Sequence, residues 1–65
     1  MPAYLISYRN KDNEPLIAET VFMRNLAAAK TSATTSAPDI AYIITISDIG
    51  DKLLSTKEDG KWKNL

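Results

Sequence analysis

The sequence IAYIITIS, residues 40–47, is the most apolar and most β-branched run in the chain. Successive side chains of a strand point to opposite faces, and β-branched residues suit a pleated surface. Such a strand needs cover on both faces for part of its length, which edge strands seldom have. We therefore predict that residues 40–47 form the central strand of a sheet. The alternate set on one face is wholly apolar: Ile40, Tyr42, Ile44 and Ile46.

The carboxyl-terminal side of this run has the pattern of consecutive hairpins. Residues 48–51 read Asp-Ile-Gly-Asp, a tight-turn sequence in which glycine tolerates positive φ. Residues 52–57 then return as the next strand. The Glu-Asp-Gly of residues 58–60 repeats the turn signal, so residues 61–63 can form a short further strand.

The amino-terminal side predicts a strand over residues 3–9, where the side chains alternate with a period of two. Residues 10–13 read Asn-Lys-Asp-Asn, which is typical of a turn. Residues 16–23 fit two structures. As a strand they complete a hairpin, which the Asn-rich turn favours; as a helix they begin a long apolar stripe near Pro15.

A helix is predicted over residues 26–36. The Asn25 side chain can cap its first turn, and Pro38 prevents its continuation. Its apolar side is narrow and built from small residues, so the helix can approach a sheet closely but buries little area. That side consists of Leu26, Ala29, Ala33 and Ala37.

Together these elements predict an α+β fold: a small antiparallel sheet with one helix on a face, in the order β-β-α-β-β with a possible short fifth strand. The alternative is β-α-β-β with one long helix. Residues 1–65 are expected to form a single domain, near the lower size limit for a chain that contains no cysteine for disulfides. This small size favours self-association as a source of stability.

Composition argues against several functions. The 8 basic and 8 acidic residues cancel, so no global field attracts nucleic acid or an anionic membrane. Without histidine or cysteine, the usual zinc ligands and general base are absent. The glycines, Gly50 and Gly60, are isolated in turns and form no phosphate-binding loop. We predict no catalytic residue, metal, cofactor or small-molecule substrate, no membrane association, and a cytoplasmic location.

Glu19 is the one acidic residue expected on a strand beside apolar neighbours. An exposed position next to a lysine or arginine on the adjacent strand is the simplest expectation for it. The hydroxyl-rich residues 31–36 are interpreted as a polar helix face, because nothing in the sequence identifies a base to activate them.

Aromatic residues give the main candidate interaction surface. If the helix covers one sheet face, aromatics on the other would form a contact surface, since tyrosine and tryptophan are enriched in interfaces. Equally, they can fill the core against the small residues of the helix. On the first interpretation the chain is a non-enzymatic protein-interaction module, possibly homodimeric through a sheet face or edge strand. Its candidate interface residues are Tyr4, Tyr8, Tyr42, Ile44 and Trp62.

The alternative function is a small nucleic-acid-binding domain. Bases stack on exposed aromatic rings while lysines contact phosphates, and Lys57, Lys61 and Lys63 surround Trp62 in the sequence. A tryptophan close to a chain end is more often an anchor that closes the core, with lysine side chains lying beside it. The sequence therefore ranks a protein partner or a second copy above nucleic acid.

Overall fold

A computed structural model describes residues 1–64, which form one helix and a five-stranded antiparallel sheet. The predicted α+β fold is confirmed, including the short fifth strand and the strand interpretation of residues 16–23. The alternative with one long helix is wrong. The elements are β1 (Ala3–Arg9), β2 (Pro15–Phe22), α1 (Leu26–Ser36), β3 (Ile43–Asp48), β4 (Leu53–Glu58) and β5 (Lys61–Asn64).

The strand order is β2-β1-β3-β4-β5, and each neighbouring pair is antiparallel. β3 therefore lies in the middle of the sheet, as its apolar sequence predicts. Ile6 of β1 pairs with Ile46 of β3 at the centre of the sheet. The two outer strands are β2 and β5, and α1 carries the chain from the β2 edge across the sheet to β3.

The predicted start of the central strand is wrong by three residues. The Ala41 amide donates to the Pro38 carbonyl at 3.0 Å, which closes a turn ahead of β3. Ile40 lies in that turn and is 67% exposed. The turn that follows Pro38 thus overrides the strand preference of residues 40–42, and the buried apolar set shrinks to Ile44 and Ile46.

The helix has the predicted bounds. Asn25 caps it, because its Oδ1 accepts from the Ala28 amide at 2.9 Å. Ala29 and Ala33 are fully buried on the side that faces the sheet. Their short side chains let the helix backbone come close enough for the Tyr8 hydroxyl to lie 3.3 Å from the Ala33 carbonyl oxygen.

The core lies between the helix and one face of the sheet. The core includes the apolar face of the central strand, and the helix of the same chain covers this face. The opposite face, which we call the open face, consists of half-buried and exposed residues. The buried hydrophobic residues of the core are Tyr4, Ile6, Tyr8, Ala29, Ala33, Ile44 and Ile46.

Candidate interaction surfaces

Three of the five predicted interface residues lie in the core. Tyr4, Tyr8 and Ile44 are buried beneath the helix, so they cannot contact a partner. The physical reason is the alanine side of the helix, since Ala29 and Ala33 leave space that the tyrosine rings fill. For these residues the structure supports the core-filling interpretation, and the predicted aromatic surface is corrected accordingly.

The other two predicted interface residues keep part of their surface. Tyr42 is half-buried just before β3, where its amide donates to the Arg9 carbonyl at 2.8 Å. Trp62 is half-buried on β5 and packs against the core cluster. The second placement agrees with the anchor interpretation of the tryptophan.

Two lysines flank the Trp62 ring on the helix side of the sheet. The Lys30 ammonium lies 5.6 Å from the ring centroid and the Lys57 ammonium 5.7 Å from it. Both distances fall within the range of a cation–π interaction. Lys57 pairs directly with Trp62 in the β4–β5 register, whereas Lys30 comes from α1. Sequence reasoning missed Lys30, because no local spacing relates it to the tryptophan.

The predicted nucleic-acid contacts are divided between the two faces of the sheet. Lys61 and Lys63 alternate with Trp62 along β5 and pair with Glu58 and Thr56. By strand alternation they project to the open face, while Trp62 and Lys57 lie on the helix side. The four residues therefore do not form the single patch that their closeness in sequence predicted.

A shallow groove of about 400 Å³ runs between α1 and Trp62. Thr34 and Thr35 donate their hydroxyl hydrogens to helix carbonyls one turn earlier, at 2.9 and 3.0 Å. The Lys57 ammonium lies 3.4 Å from Thr34 Oγ1. Among residues 1–64, no acidic side chain lines the groove, so its lining suits an anionic group. The lining residues are Ala27, Lys30, Thr31, Thr34, Thr35 and Trp62.

Glu19 is held by a tyrosine, not by the predicted basic neighbour. The Tyr8 hydroxyl lies 3.1 Å from Glu19 Oε1 and 3.3 Å from the Ala33 carbonyl oxygen, so its one hydrogen has two acceptors. Burial, with the hydrogen bond to Glu19 and the nearby negative charge, raises the pKa of Tyr8 to about 12. The pair ties edge strand, neighbouring strand and helix together. Tyr8 is buried in this arrangement, and Glu19 is half-buried.

The outer edge of β2, which we call the β2 edge, is the least protected part of the sheet. Ile17 is 52% exposed and Phe22 is 66% exposed. The only charged residue of this eight-residue strand is Glu19, which bonds inward to Tyr8. Natural proteins usually protect an edge strand by making it short or by placing charges, especially lysine, on it. β5 has both features, since two of its four residues are lysines.

The open face is mixed in composition. Apolar side chains lie at one end of it, on Leu5, Phe22 and Leu53, and charged ones at the other. The row across its middle is small or hydroxyl-bearing, because Ser7 of β1 pairs with Thr45 of β3. A face of this composition can remain in water, so it does not itself require a partner.

Residues 1–64 therefore define a small α+β domain in which the described chain leaves the open face uncovered and the β2 edge unprotected. Comparisons with protein-family models, with curated proteins and with solved structures give no match. Within residues 1–64, no helix has the length and apolar character needed to cross a membrane. In the same residues, no group of three or more acidic side chains is placed to hold a metal ion.

Proposed function

We propose that the protein is a non-enzymatic protein-interaction module that works as a homodimer assembled through its sheet. The observation that carries the proposal is the β2 edge: within residues 1–64, no strand pairs with the outer side of this long strand, which exposes Ile17 and Phe22 and has no lysine or arginine to protect it. Association would also stabilise a domain whose core is small.

The chemistry of the surface supports a non-enzymatic role. The chain has no histidine or cysteine, the residues that most often act as base or nucleophile. Perturbed pKa values tend to cluster at active sites. Here the raised pKa belongs to Tyr8, which is 1% exposed beneath the helix and does not line the groove.

Sedimentation velocity over a wide concentration range tests the proposed homodimer. We expect the weight-average mass to rise from that of the 7.2 kDa chain toward twice that value as concentration increases. Because the β2 edge carries little charge, the dimer should depend only weakly on salt. A chain that stays monomeric up to millimolar concentration contradicts the proposal.

A second candidate function, binding of single-stranded nucleic acid, is supported by the groove. Lys30 and Lys57 place two positive charges beside Trp62, and no acidic side chain from the described part of the chain lines the groove. Phosphates would contact the lysines, and a base would have to displace one ammonium group to stack on the ring. Because this displacement would cost a cation–π interaction, we rank nucleic-acid binding below the homodimer.

Fluorescence of Trp62, the only tryptophan in the sequence, tests this second candidate. If the groove binds single-stranded DNA, an oligonucleotide should quench the emission at low salt, and quenching should fall steeply as salt rises. The double variant Lys30→Ala and Lys57→Ala should lose the quenching. The matched double variant Lys61→Ala and Lys63→Ala, on the open face, should keep it. Equal loss in both variants, or no quenching by the unchanged chain, excludes the groove as the site.

A further inference from the structure

We propose that the β2 edge binds β2 of a second copy, antiparallel, about a two-fold axis that passes midway between the two Thr20 residues. This inference rests on the proposed homodimer and assigns it a surface and a register. The two sheets would become one continuous sheet, with both helices on the same side, because a two-fold axis perpendicular to a sheet preserves its faces.

Backbone direction shows which groups of β2 are free. The Met23 amide donates to the Pro2 carbonyl at 3.1 Å, so the backbone of Met23 points toward β1. Because the direction alternates along an antiparallel strand, Ile17, Glu19 and Val21 also point toward β1. The amides and carbonyls of the remaining residues, Ala18, Thr20 and Phe22, therefore point away from the sheet, where no strand within residues 1–64 pairs with them.

The register follows from the regular part of the strand. The β1–β2 pairing is irregular between Tyr8 and Arg9, so the regular ladder covers residues 17–22. Thr20 is the middle of the three outward-facing residues. A two-fold axis there pairs Thr20 with itself and Ala18 with Phe22, which makes about six hydrogen bonds, two for each hydrogen-bonded pair.

Side chains favour the same register. An axis at Glu19 would place two carboxylates directly opposite each other, which is destabilising. An axis at Ala18 would leave Phe22 beyond the regular ladder. With the axis at Thr20, Phe22 lies over the small Ala18 of the second copy, and Ile17 lies beside its Met23. Both large exposed apolar residues of β2 thereby gain apolar neighbours, and the pair of threonines at the axis is a favourable cross-strand pair.

Neither of the other sheet surfaces fits a second copy as well. β5 is four residues long, and a two-fold axis at Trp62 would place Lys61 opposite Lys63 of the second copy. The open face has a hydroxyl-bearing middle row and charged residues at one end, so stacking two such faces would bury polar groups without assigned partners. The β2 edge instead offers backbone groups that only another strand can fully pair.

Engineered cysteines test the register without interference, because the chain has no cysteine of its own. In the proposed dimer the two Thr20 Cα atoms are about 5.5 Å apart, within the disulfide range of roughly 4.4–6.8 Å. Mild oxidation of Thr20→Cys should therefore give a covalent dimer. Thr45→Cys is the matched control on β3. In the proposed dimer the two copies of residue 45 lie five strand spacings apart, roughly 24 Å, so they should not cross-link. Ala18→Cys should also give no covalent dimer, since the two copies of residue 18 are offset by about four residues along the strands, roughly 14 Å.

A lysine at the axis provides an independent test. Thr20→Lys places two like charges opposite each other and should raise the dimer dissociation constant at least about tenfold. Ser36→Lys, an exposed helix position outside the groove with the same charge change, should leave it unaltered. Circular dichroism checks that both variants are folded.

The outcomes separate this inference from the proposed function. A chain that is monomeric at all concentrations overturns both. A dimer that is cross-linked through Thr45→Cys but not Thr20→Cys, or that is insensitive to Thr20→Lys, overturns the β2 interface and leaves a homodimer through another surface. Faster cross-linking of Ala18→Cys than of Thr20→Cys overturns the register.

Discussion

Replacing Ile46 with alanine is expected to lower the free energy of unfolding by about 2–5 kcal/mol, the range for isoleucine-to-alanine changes in a core. Ile46 is 0% exposed, pairs with Ile6 on β1 and lies in the core beneath the helix. A domain of this size has a total stability of roughly 3–10 kcal/mol. The substitution should therefore remove a large part of that stability, and urea denaturation followed by circular dichroism measures the loss.

Ile40 is the matched control from the same apolar run. It is 67% exposed in the turn before β3, so Ile40→Ala should change the free energy of unfolding by no more than about 0.5 kcal/mol. If both isoleucines were equally sensitive, the central strand would begin at residue 40 after all, and the assignment of the turn after Pro38 would be wrong.

This contrast shows what local sequence patterns can and cannot predict. Alternation over residues 3–9, the turn residues and the Asn25 cap act over short distances, and they predicted the element order and the helix bounds. The start of β3 depends on competition between a turn that follows Pro38 and the strand preference of an apolar run. Because both signals are strong there, the pattern alone could not decide between them.

The face covered by the helix was not predictable, because it depends on long-range packing. The central strand has one wholly apolar face and one mixed face that carries Ile43, Thr45 and Ser47, and the strand's own sequence does not specify which face a narrow alanine stripe packs on. The tyrosines of β1 favour one face for the helix, because their rings fill the space left by Ala29 and Ala33. This packing places three of the five candidate interface residues in the core.

The position of the β2 edge was also beyond local rules. Hairpin signals predict that β1 pairs with β2, and that β3, β4 and β5 pair in sequence. They leave open which strand of the first hairpin joins the second group. Pairing of β1 with β3 makes β2 an edge strand. Only this arrangement shows that the exposed Ile17 and Phe22 lie beside an unpaired strand edge.

Alkaline pH is expected to destabilise the fold through Tyr8, whose pKa is raised to about 12 from the usual value of 10.0. Because the folded state holds the proton more tightly than the unfolded state, this stabilisation is complete below pH about 10 and is lost as pH rises through about 12. A pKa difference of about two units corresponds to roughly 2–3 kcal/mol. The measurement is urea denaturation at several pH values between 8 and 12.

Tyr8→Phe separates this effect from any pH dependence that all variants share. At neutral pH it should lower the free energy of unfolding by about 1–2 kcal/mol, since Glu19 and the Ala33 carbonyl lose their donor. Its stability should then fall less than that of the unchanged chain between pH 10 and 12, so the two curves converge. Tyr42→Phe, a matched change outside the core, should keep the full alkaline loss. Parallel curves for Tyr8→Phe and the unchanged chain would show that the tyrosine proton does not link β1, β2 and the helix.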